Sequence, residues 1–186
     1  NHPDHLDAKA QRGRAKLCQA AELPVIGIVN QKGFNLQRIP SSEMGVLQDA
    51  TNDFESLPLD HPDHEYGQAL GEFIHGDPVL ARDKFRKILE ERPYLVEARL
   101  FLATAELLAG GTKEAKTQVS RALSLGTQSS RLYGTRAYAY AIENRLTEAA
   151  EDANAALQLS PTWNAMRNFR AAWLTHLARY EEALLE

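Results

Sequence analysis

Hydrophobic and small residues recur with a helical period along the second two-thirds of the chain. The run 98–109 places apolar side chains three or four positions apart, which is the spacing of one helix face. Gly110 and Gly111 then end this helix, because glycine tolerates the left-handed conformation found past helix C-termini. Thr112 can cap a second helix that extends to Gly126. The pattern therefore predicts two consecutive helices joined by a short turn.

The two-helix pattern recurs when the chain is shifted by about 34 residues, which we call the repeat period. Alanine fills two columns in every copy, and the columns are Ala69, Ala103, Ala137 and Ala171, and Ala81, Ala115, Ala149 and Ala183. Small residues at fixed positions allow neighbouring helix axes to approach to about 8–9 Å. The period predicts an array of about three and a half helix–turn–helix units, which are 62–95, 96–129, 130–163 and an incomplete 164–186.

This pattern resembles the tetratricopeptide repeat, a 34-residue helix–turn–helix unit with small-residue columns in both helices and proline at its close. The third unit matches it at Ala137, Tyr140, Ala149, Ala156 and Pro161. The resemblance covers about residues 62–186. It implies an all-α, right-handed solenoid in which the first helix of each pair lines a concave groove. The chain departs from the family at the usual tryptophan near the repeat start, where it has Arg99, Tyr133 and Arg167.

The resemblance also implies which side chains face the groove. In the first two units they are Tyr66, Leu70, Phe73, Leu100 and Thr104, with Glu97, Phe101 and Leu108 at neighbouring positions. In the last two units they are Arg131, Thr135, Tyr138, Asn168, Ala172 and His176. We expect Phe101 and Leu108 to belong to the core. The remaining set predicts a mixed apolar and aromatic groove, which suits a partner's amphipathic helix or extended peptide.

Polar and aromatic groups stand out among the predicted groove residues. Tyr138, Arg131, Asn168 and His176 are the strongest candidates for partner contacts, because polar groups need a reason to face inward. We therefore expect Tyr138→Ala and Arg131→Glu to weaken partner binding without unfolding the domain.

One subtype of the family clamps the C-terminal carboxylate of heat-shock chaperones with Lys and Asn at successive groove positions. Here those positions hold Tyr66, Leu70 and Phe101. None of these side chains offers the cationic or amide donors of that clamp. The sequence therefore predicts a groove without the carboxylate clamp.

Residues 1–61 interrupt the repeat and predict a small mixed N-terminal extension. The segment 6–22 resembles the first helix of a further unit, because Pro3 and Gly13 have the spacing of Pro93 and Ala103. Beta-prone runs on both sides of a turn-like tetrapeptide predict a short hairpin over 24–39. An amphipathic helix is predicted over 42–56, with one apolar face formed by Met44, Leu47, Thr51 and Phe54. We interpret the hairpin segment as an insert within the array, too short to bury a catalytic core alone.

The sequence His-Pro-Asp-His occurs twice, at 2–5 and 61–64. Histidine and aspartate bind zinc, but a zinc site needs three or four converging ligands. Pro-Asp before a helix is also ordinary N-terminal chemistry, with a fixed φ and a capping acceptor. The second interpretation is favoured, so neither a metal nor a cofactor is predicted. Cys18 has no histidine nearby in sequence, and no catalytic residue is assigned to the chain.

Composition limits the remaining function classes. The 186 residues are 44% hydrophobic and 25% charged, which is ordinary for a globular protein. A net charge of −4 argues against nucleic-acid binding. No apolar run approaches the roughly 18 residues of a membrane span. One cysteine excludes an internal disulfide; it fits the cytoplasm slightly better than the periplasm, and the compartment stays open.

These patterns favour a scaffold that binds a protein or peptide ligand in the groove. The alternative is a regulatory or substrate-presenting segment of a larger enzyme whose catalytic domain lies outside these residues. Both ends look cut, which keeps that alternative open. Homo-oligomerisation through the exposed repeat face is a third alternative.

Overall fold

The computed structural model describes the chain in four stretches, which are residues 3–19, 25–30, 33–38 and 42–185. Their helices are α1 (Pro3–Gln19), α2 (Ser42–Glu55), α3 (Pro62–His75), α4 (Pro78–Glu91), α5 (Val96–Leu108), α6 (Thr112–Ser124), α7 (Ser130–Ile142), α8 (Leu146–Leu159), α9 (Asn164–His176) and α10 (Tyr180–Ala183). Strands β1 (Val25–Asn30) and β2 (Gly33–Arg38) lie between α1 and α2. They pair antiparallel, with Val25 opposite Arg38 and Asn30 opposite Gly33. In these stretches, no helix is long and apolar enough to cross a membrane.

The helices form a solenoid of consecutive pairs. Each helix packs against the next along the chain, from α1 on α2 to α9 on α10. The first helices of neighbouring pairs also lie side by side, with α3 beside α5 and α5 beside α7. We call the face formed by the first helices α3, α5, α7 and α9 the inner face, and the face formed by α4, α6 and α8 the outer face. The solenoid and the small mixed N-terminal extension confirm the predicted fold class.

The turns within four of the pairs share one left-handed residue at the same repeat position. Gly76 and Gly110 have φ of 99° and 87°, while Asn144 and Ala178 both have φ of 59°. Neighbouring members of this set are one repeat period apart, so the period extends to the backbone conformation of the turns. Glycine and asparagine adopt this conformation readily, whereas Ala178 holds it against a steric cost at its Cβ.

The alanine columns form the contact between paired helices. Six of their members have no exposed surface, and these are Ala69, Ala103, Ala137, Ala81, Ala115 and Ala149. In the last pair, Ala171 and Ala183 are half-buried. At Gly134 on α7 an added Cβ would overlap the ring of Trp163, the residue that precedes α9. Small side chains therefore set the distance between helices in this array.

The N-terminal segment contributes a further helix pair whose turn contains the hairpin. When the segment 20–41, which we call the insertion, is left out of the count, Gly13 on α1 precedes Ala69 by one repeat period. A Cβ on Gly13 would meet the Phe54 ring of α2 at 2.7 Å, so this position requires a small residue as the alanine columns do. Parts of the predicted segments 6–22 and 24–39 fall on residues outside the described stretches.

Ion pairs hold α1 on α2. The guanidinium of Arg12 donates to both carboxylate oxygens of Asp53, and Lys16 Nζ donates to Asp53 Oδ2 at 2.8 Å. The hydrogen bond from Arg12 is the main reason that the pKa of Asp53 falls to about 2; burial opposes the shift and Lys16 adds to it. The charged carboxylate of Asp53 therefore stabilises the docking of α1.

Candidate functional site

The eleven residues predicted to line the groove differ in exposure along the array. Eight of them lie on α3, α5 and α7 and are at most 9% exposed, namely Tyr66, Leu70, Phe73, Leu100, Thr104, Arg131, Thr135 and Tyr138. On α9, Ala172 is half-buried, and Asn168 and His176 are exposed. Of the predicted groove residues, those on α9 are therefore the ones that solvent reaches.

Aromatic packing buries the two tyrosines. The Tyr66 ring meets the rings of Phe54 and Phe85 edge-on, with centroids 5.4 and 5.7 Å apart. The Tyr138 ring meets Phe169 and Trp173 in the same manner, at 5.9 and 6.5 Å. Tyr138 has no exposed surface, so Tyr138→Ala removes core packing. The prediction that Tyr138→Ala weakens partner binding without unfolding the domain stays a prediction, and the packing adds an expected loss of stability.

The polar residues of α5 and α7 find partners within the chain. The hydroxyls of Thr104 and Thr135 donate to the carbonyls of Leu100 and Arg131, one helical turn earlier, at 2.9 and 2.8 Å. Arg131 Nη2 donates to the carbonyl of Leu17 at 3.2 Å. Their burial therefore has a local explanation that requires no ligand.

The β-hairpin lies on the inner face. The backbone of β2 runs beside α7 and α5, with Cα atoms within 8 Å of both helices. The bond from Arg131 to Leu17 joins the end of α1 to the same helix, α7. Within the described stretches, the hairpin makes no comparable approach to α9. Strand β2 thus covers part of the inner face at α5 and α7.

A cavity of about 260 Å³, which we call the Tyr66 cavity, lies between α1, α2, α3 and the start of α5. Its lining residues are Arg14, Leu17, Cys18, Phe54, Asp63, Tyr66, Leu95 and Glu97. Most of the wall is apolar or aromatic. The charged groups in the wall belong to Arg14, Asp63 and Glu97.

The charges around the Tyr66 cavity are unevenly compensated. Asp63 Oδ2 accepts from Arg14 and Asp63 Oδ1 accepts from Arg92, both at 2.7 Å. Glu97 forms no ion pair with any residue that the structure describes. The buried hydroxyl of Tyr66 likewise has no hydrogen-bond partner among them. Burial raises the pKa of Tyr66 well above its usual value, and Glu97 adds to the shift while Arg131 opposes it, so this phenol stays neutral.

The second His-Pro-Asp-His copy builds the start of α3. His61 Nδ1 accepts from the backbone N–H of Asp63 at 3.1 Å, and His64 Nδ1 lies 2.9 Å from the Leu57 carbonyl. The first copy begins at residues outside the described stretches. Among the described residues, no three histidine, cysteine or acidic side chains are grouped to hold a metal ion. Cys18 is an exposed free thiol.

Sequence reasoning missed the α1 and α2 walls of the Tyr66 cavity. The insertion hides the repeat register of Gly13, so Leu17 and Phe54 could not be aligned with the other units. The sequence did contain one signal for the charged part of the cavity wall. Asp63, Glu97 and Arg131 follow one another at the repeat period, which places three charged residues at one repeat position of adjacent first helices.

No family model and no curated protein sequence matches this chain. Among solved structures, the first tetratricopeptide domain of human RPAP3 gives a TM-score of 0.59 at 22% identity, over 66% of this chain and 98% of that one. MamA from residue 41 onward, of Desulfovibrio magneticus RS-1, gives 0.63 at 16% identity, over 95% and 89%. The first such domain of Spaghetti (RPAP3), bound to the HSP90 peptide SRMEEVD, gives 0.56 at 21% identity, over 75% and 97%.

These similarities extend over most of each chain while the sequence identities stay low. They agree with the helix pairs, the alanine columns and the periodic spacing of the left-handed turn residues. The chain therefore has the tetratricopeptide-repeat fold, as its sequence pattern predicts.

Proposed function

We propose that this chain is a protein-interaction scaffold that binds an extended segment of a partner protein on its inner face. The position of β2 carries this proposal. It is an extended backbone that lies beside α5 and α7, so these helices leave room for a segment of that shape. Because fold alone does not give function, this contact is a stronger argument than the solenoid itself.

A structural neighbour supports a peptide as the ligand. The Spaghetti domain was solved with an HSP90 peptide bound. In the present chain the positions of the carboxylate clamp hold Tyr66, Leu70 and Phe101, which are at most 2% exposed. These buried side chains favour a ligand of different chemistry, recognised without a clamped C-terminal carboxylate.

The open part of the inner face provides the first contact surface for such a segment. We assign this role to Asn168, Ala172 and His176 of α9, which combine an amide, a methyl group and an imidazole on an accessible helix. A segment bound there runs toward α7 and meets the hairpin. It then either lies beside β2 or replaces it.

Peptide selection against the intact chain tests the proposal. Random 12-residue peptides are displayed, selected on the chain and measured by fluorescence polarisation. Ala172→Arg and His176→Glu on α9 are expected to weaken the selected peptides about tenfold or more, because each puts a bulky or charged group on the binding surface.

Matched substitutions on the outer face serve as controls. Ser124→Arg and Ser120→Glu introduce the same side chains at exposed positions of α6. They are expected to change peptide affinity less than about twofold. Two results would contradict the proposal. One is a peptide affinity that falls with the α6 substitutions and not with the α9 substitutions, and the other is a selection that yields no binding peptide.

A further inference from the structure

We propose that the Tyr66 cavity binds one basic side chain, arginine or lysine, of the partner segment. The inference deepens the proposed function and rests on it, because it assigns a chemical feature to the segment that the inner face binds. Three observations point to a ligand group, which are the size of the cavity, its carboxylate without an ion pair and its buried hydroxyl without a partner. The carboxylate makes a cation the expected group.

The size of the cavity suits a single side chain. Its volume of about 260 Å³ lies below the roughly 300–1,000 Å³ of pockets that hold drug-sized molecules. Leu17, Phe54 and Leu95 contribute apolar wall. The methylene stem of arginine or lysine packs well against such a wall while its charged head reaches a polar group.

The carboxylate of Glu97 favours a cation at the α5 end of the cavity. Arg14 and Arg92 bind the two oxygens of Asp63, so this cluster carries one positive charge in excess and leaves no carboxylate oxygen of Asp63 for a ligand cation. Arg131 on the neighbouring helix α7 donates to the Leu17 carbonyl and forms no ion pair with the Glu97 carboxylate. Glu97 is therefore the lining carboxylate that a ligand cation can complement, and charge-assisted hydrogen bonds are stronger than those between neutral groups.

The Tyr66 hydroxyl supplies a second polar contact. Tyr66 is 2% exposed, and its hydroxyl has no hydrogen-bond partner within the described stretches. Buried polar groups are normally paired, so an unpaired one at a cavity wall points to a ligand group. A guanidinium carries five N–H donors, so one that binds the Glu97 carboxylate keeps donors for a second acceptor such as the Tyr66 oxygen.

The test uses N-acetyl-arginine amide as the probe, followed by ¹H–¹⁵N NMR of the intact chain. N-acetyl-citrulline amide is the matched ligand, because it has nearly the same shape without the charge. We expect saturable shifts of the Leu95 and Glu97 amides with the arginine probe. We expect the citrulline probe to bind at least about tenfold more weakly than the arginine probe.

Two variants assign the effect to the proposed groups. Glu97→Gln keeps the side-chain shape and is expected to abolish the preference for arginine over citrulline. Tyr66→Phe removes the hydroxyl and is expected to weaken the arginine probe about threefold without lowering the urea midpoint, because the hydroxyl has no partner to lose. Glu90→Gln, at an exposed position of α4, is the control and should leave binding unchanged.

Cys18 gives a second readout, because it lines the cavity and is the chain's single cysteine. The arginine probe is expected to slow maleimide labelling of Cys18 in the intact chain and to have no effect in Glu97→Gln.

The inference is overturned if the arginine probe gives no saturable shifts, if citrulline binds equally well, or if Glu97→Gln binds arginine as the intact chain does. The probe contains no partner sequence, so this result is independent of the peptide selection. The arginine probe could fail to bind while the α9 substitutions still weaken the selected peptides. That combination would overturn this inference and leave the proposed function supported.

Discussion

Helices α7 and α9 hold equivalent places in the repeat, yet their inner faces differ in burial. Tyr138 on α7 and Ala172 on α9 are one repeat period apart. Tyr138 is fully buried against Phe169 and Trp173, whereas Ala172 is only half-buried. The difference arises because the Phe169 and Trp173 rings of α9 cover Tyr138, whereas no ring contact of this kind covers Ala172 within the described stretches. A repeat position thus sets the direction of a side chain, and the rest of the chain decides what covers it.

The largest effect is expected from removing the buried ring of α7. Tyr138→Ala should lower the free energy of unfolding by about 3–5 kcal/mol, because it leaves a cavity beside Phe169 and Trp173. Tyr180→Ala, at a residue that is 60% exposed, should change it by less than about 0.5 kcal/mol. Urea unfolding at a fixed temperature measures both. Equal effects would mean that Tyr138 is not part of the core.

A smaller difference in the free energy of unfolding is expected one helical turn before Tyr138 and Ala172. The residues there are Gly134 on α7 and Asn168 on α9, which again share a repeat position. Gly134→Ala should cost about 1–3 kcal/mol, because the new methyl group overlaps the Trp163 ring. Asn168→Ala should stay within about 0.5 kcal/mol, since Asn168 is exposed. Urea unfolding measures both variants, and an unchanged free energy of unfolding in Gly134→Ala would contradict the close packing of Trp163 on Gly134.

The cover over α7 depends on α1 remaining docked, and Asp53 makes that docking sensitive to acid. The pKa of Asp53 is about 2 in the folded chain, below its usual value of 3.8, so the unfolded chain takes up the proton first as the pH falls. The associated stability is present near neutral pH and is lost between about pH 5 and pH 2. We expect a loss of about 1 kcal/mol, reduced by solvent screening because Arg12 is more than half exposed.

Comparison of the chain with Asp53→Asn isolates this contribution. Urea unfolding at pH 7 and pH 3 should show a smaller acid loss in Asp53→Asn than in the unmodified chain. Asp60→Asn, at an exposed position, serves as the control and should show the unmodified pH dependence. Identical pH dependence in all three proteins would rule out a stabilising role for the Asp53 ion pairs.

The smallest effect on the free energy of unfolding is expected at the turn that follows α9. Ala178 has a φ of 59°, at the position where earlier turns use glycine or asparagine. Ala178→Gly should raise the free energy of unfolding by about 0.5 kcal/mol, because relief of the strained Cβ exceeds the added unfolded-state entropy. Ala109→Gly, at a φ of −84°, should be neutral or destabilising. Thermal unfolding compares the stabilities of the two variants. A stabilising Ala109→Gly together with a destabilising Ala178→Gly would contradict the turn geometry.

The array could be predicted from sequence because its determinants are local and periodic. Ala69, Ala103 and Ala137 are buried where the repeat columns place them, and the left-handed turns recur with the same spacing. The tetratricopeptide-repeat fold follows from short-range helix, turn and packing rules that one unit displays and the next repeats.

The covering of the inner face could not be predicted, because it comes from contacts between distant segments. Arg131 and Leu17, which form one of these contacts, are 114 residues apart. Thr135 and Arg131 looked like ligand-binding residues because a polar side chain in a repeat helix carries no sign of its eventual partner. The register of α1 was hidden by the insertion, and with it the wall of the Tyr66 cavity.

The central claim is that the inner face binds an extended segment and that β2 occupies it at α5 and α7. The most direct measurement replaces the insertion, residues 20–41, with a short turn like that between α5 and α6 and verifies cooperative unfolding. A labelled peptide of residues 24–39 is then titrated into the shortened and the intact chain. We predict that the peptide binds the shortened chain at least about tenfold more tightly, because the intact chain already holds its own copy. Equal affinity for both chains, or no binding to a folded shortened chain, would contradict the account.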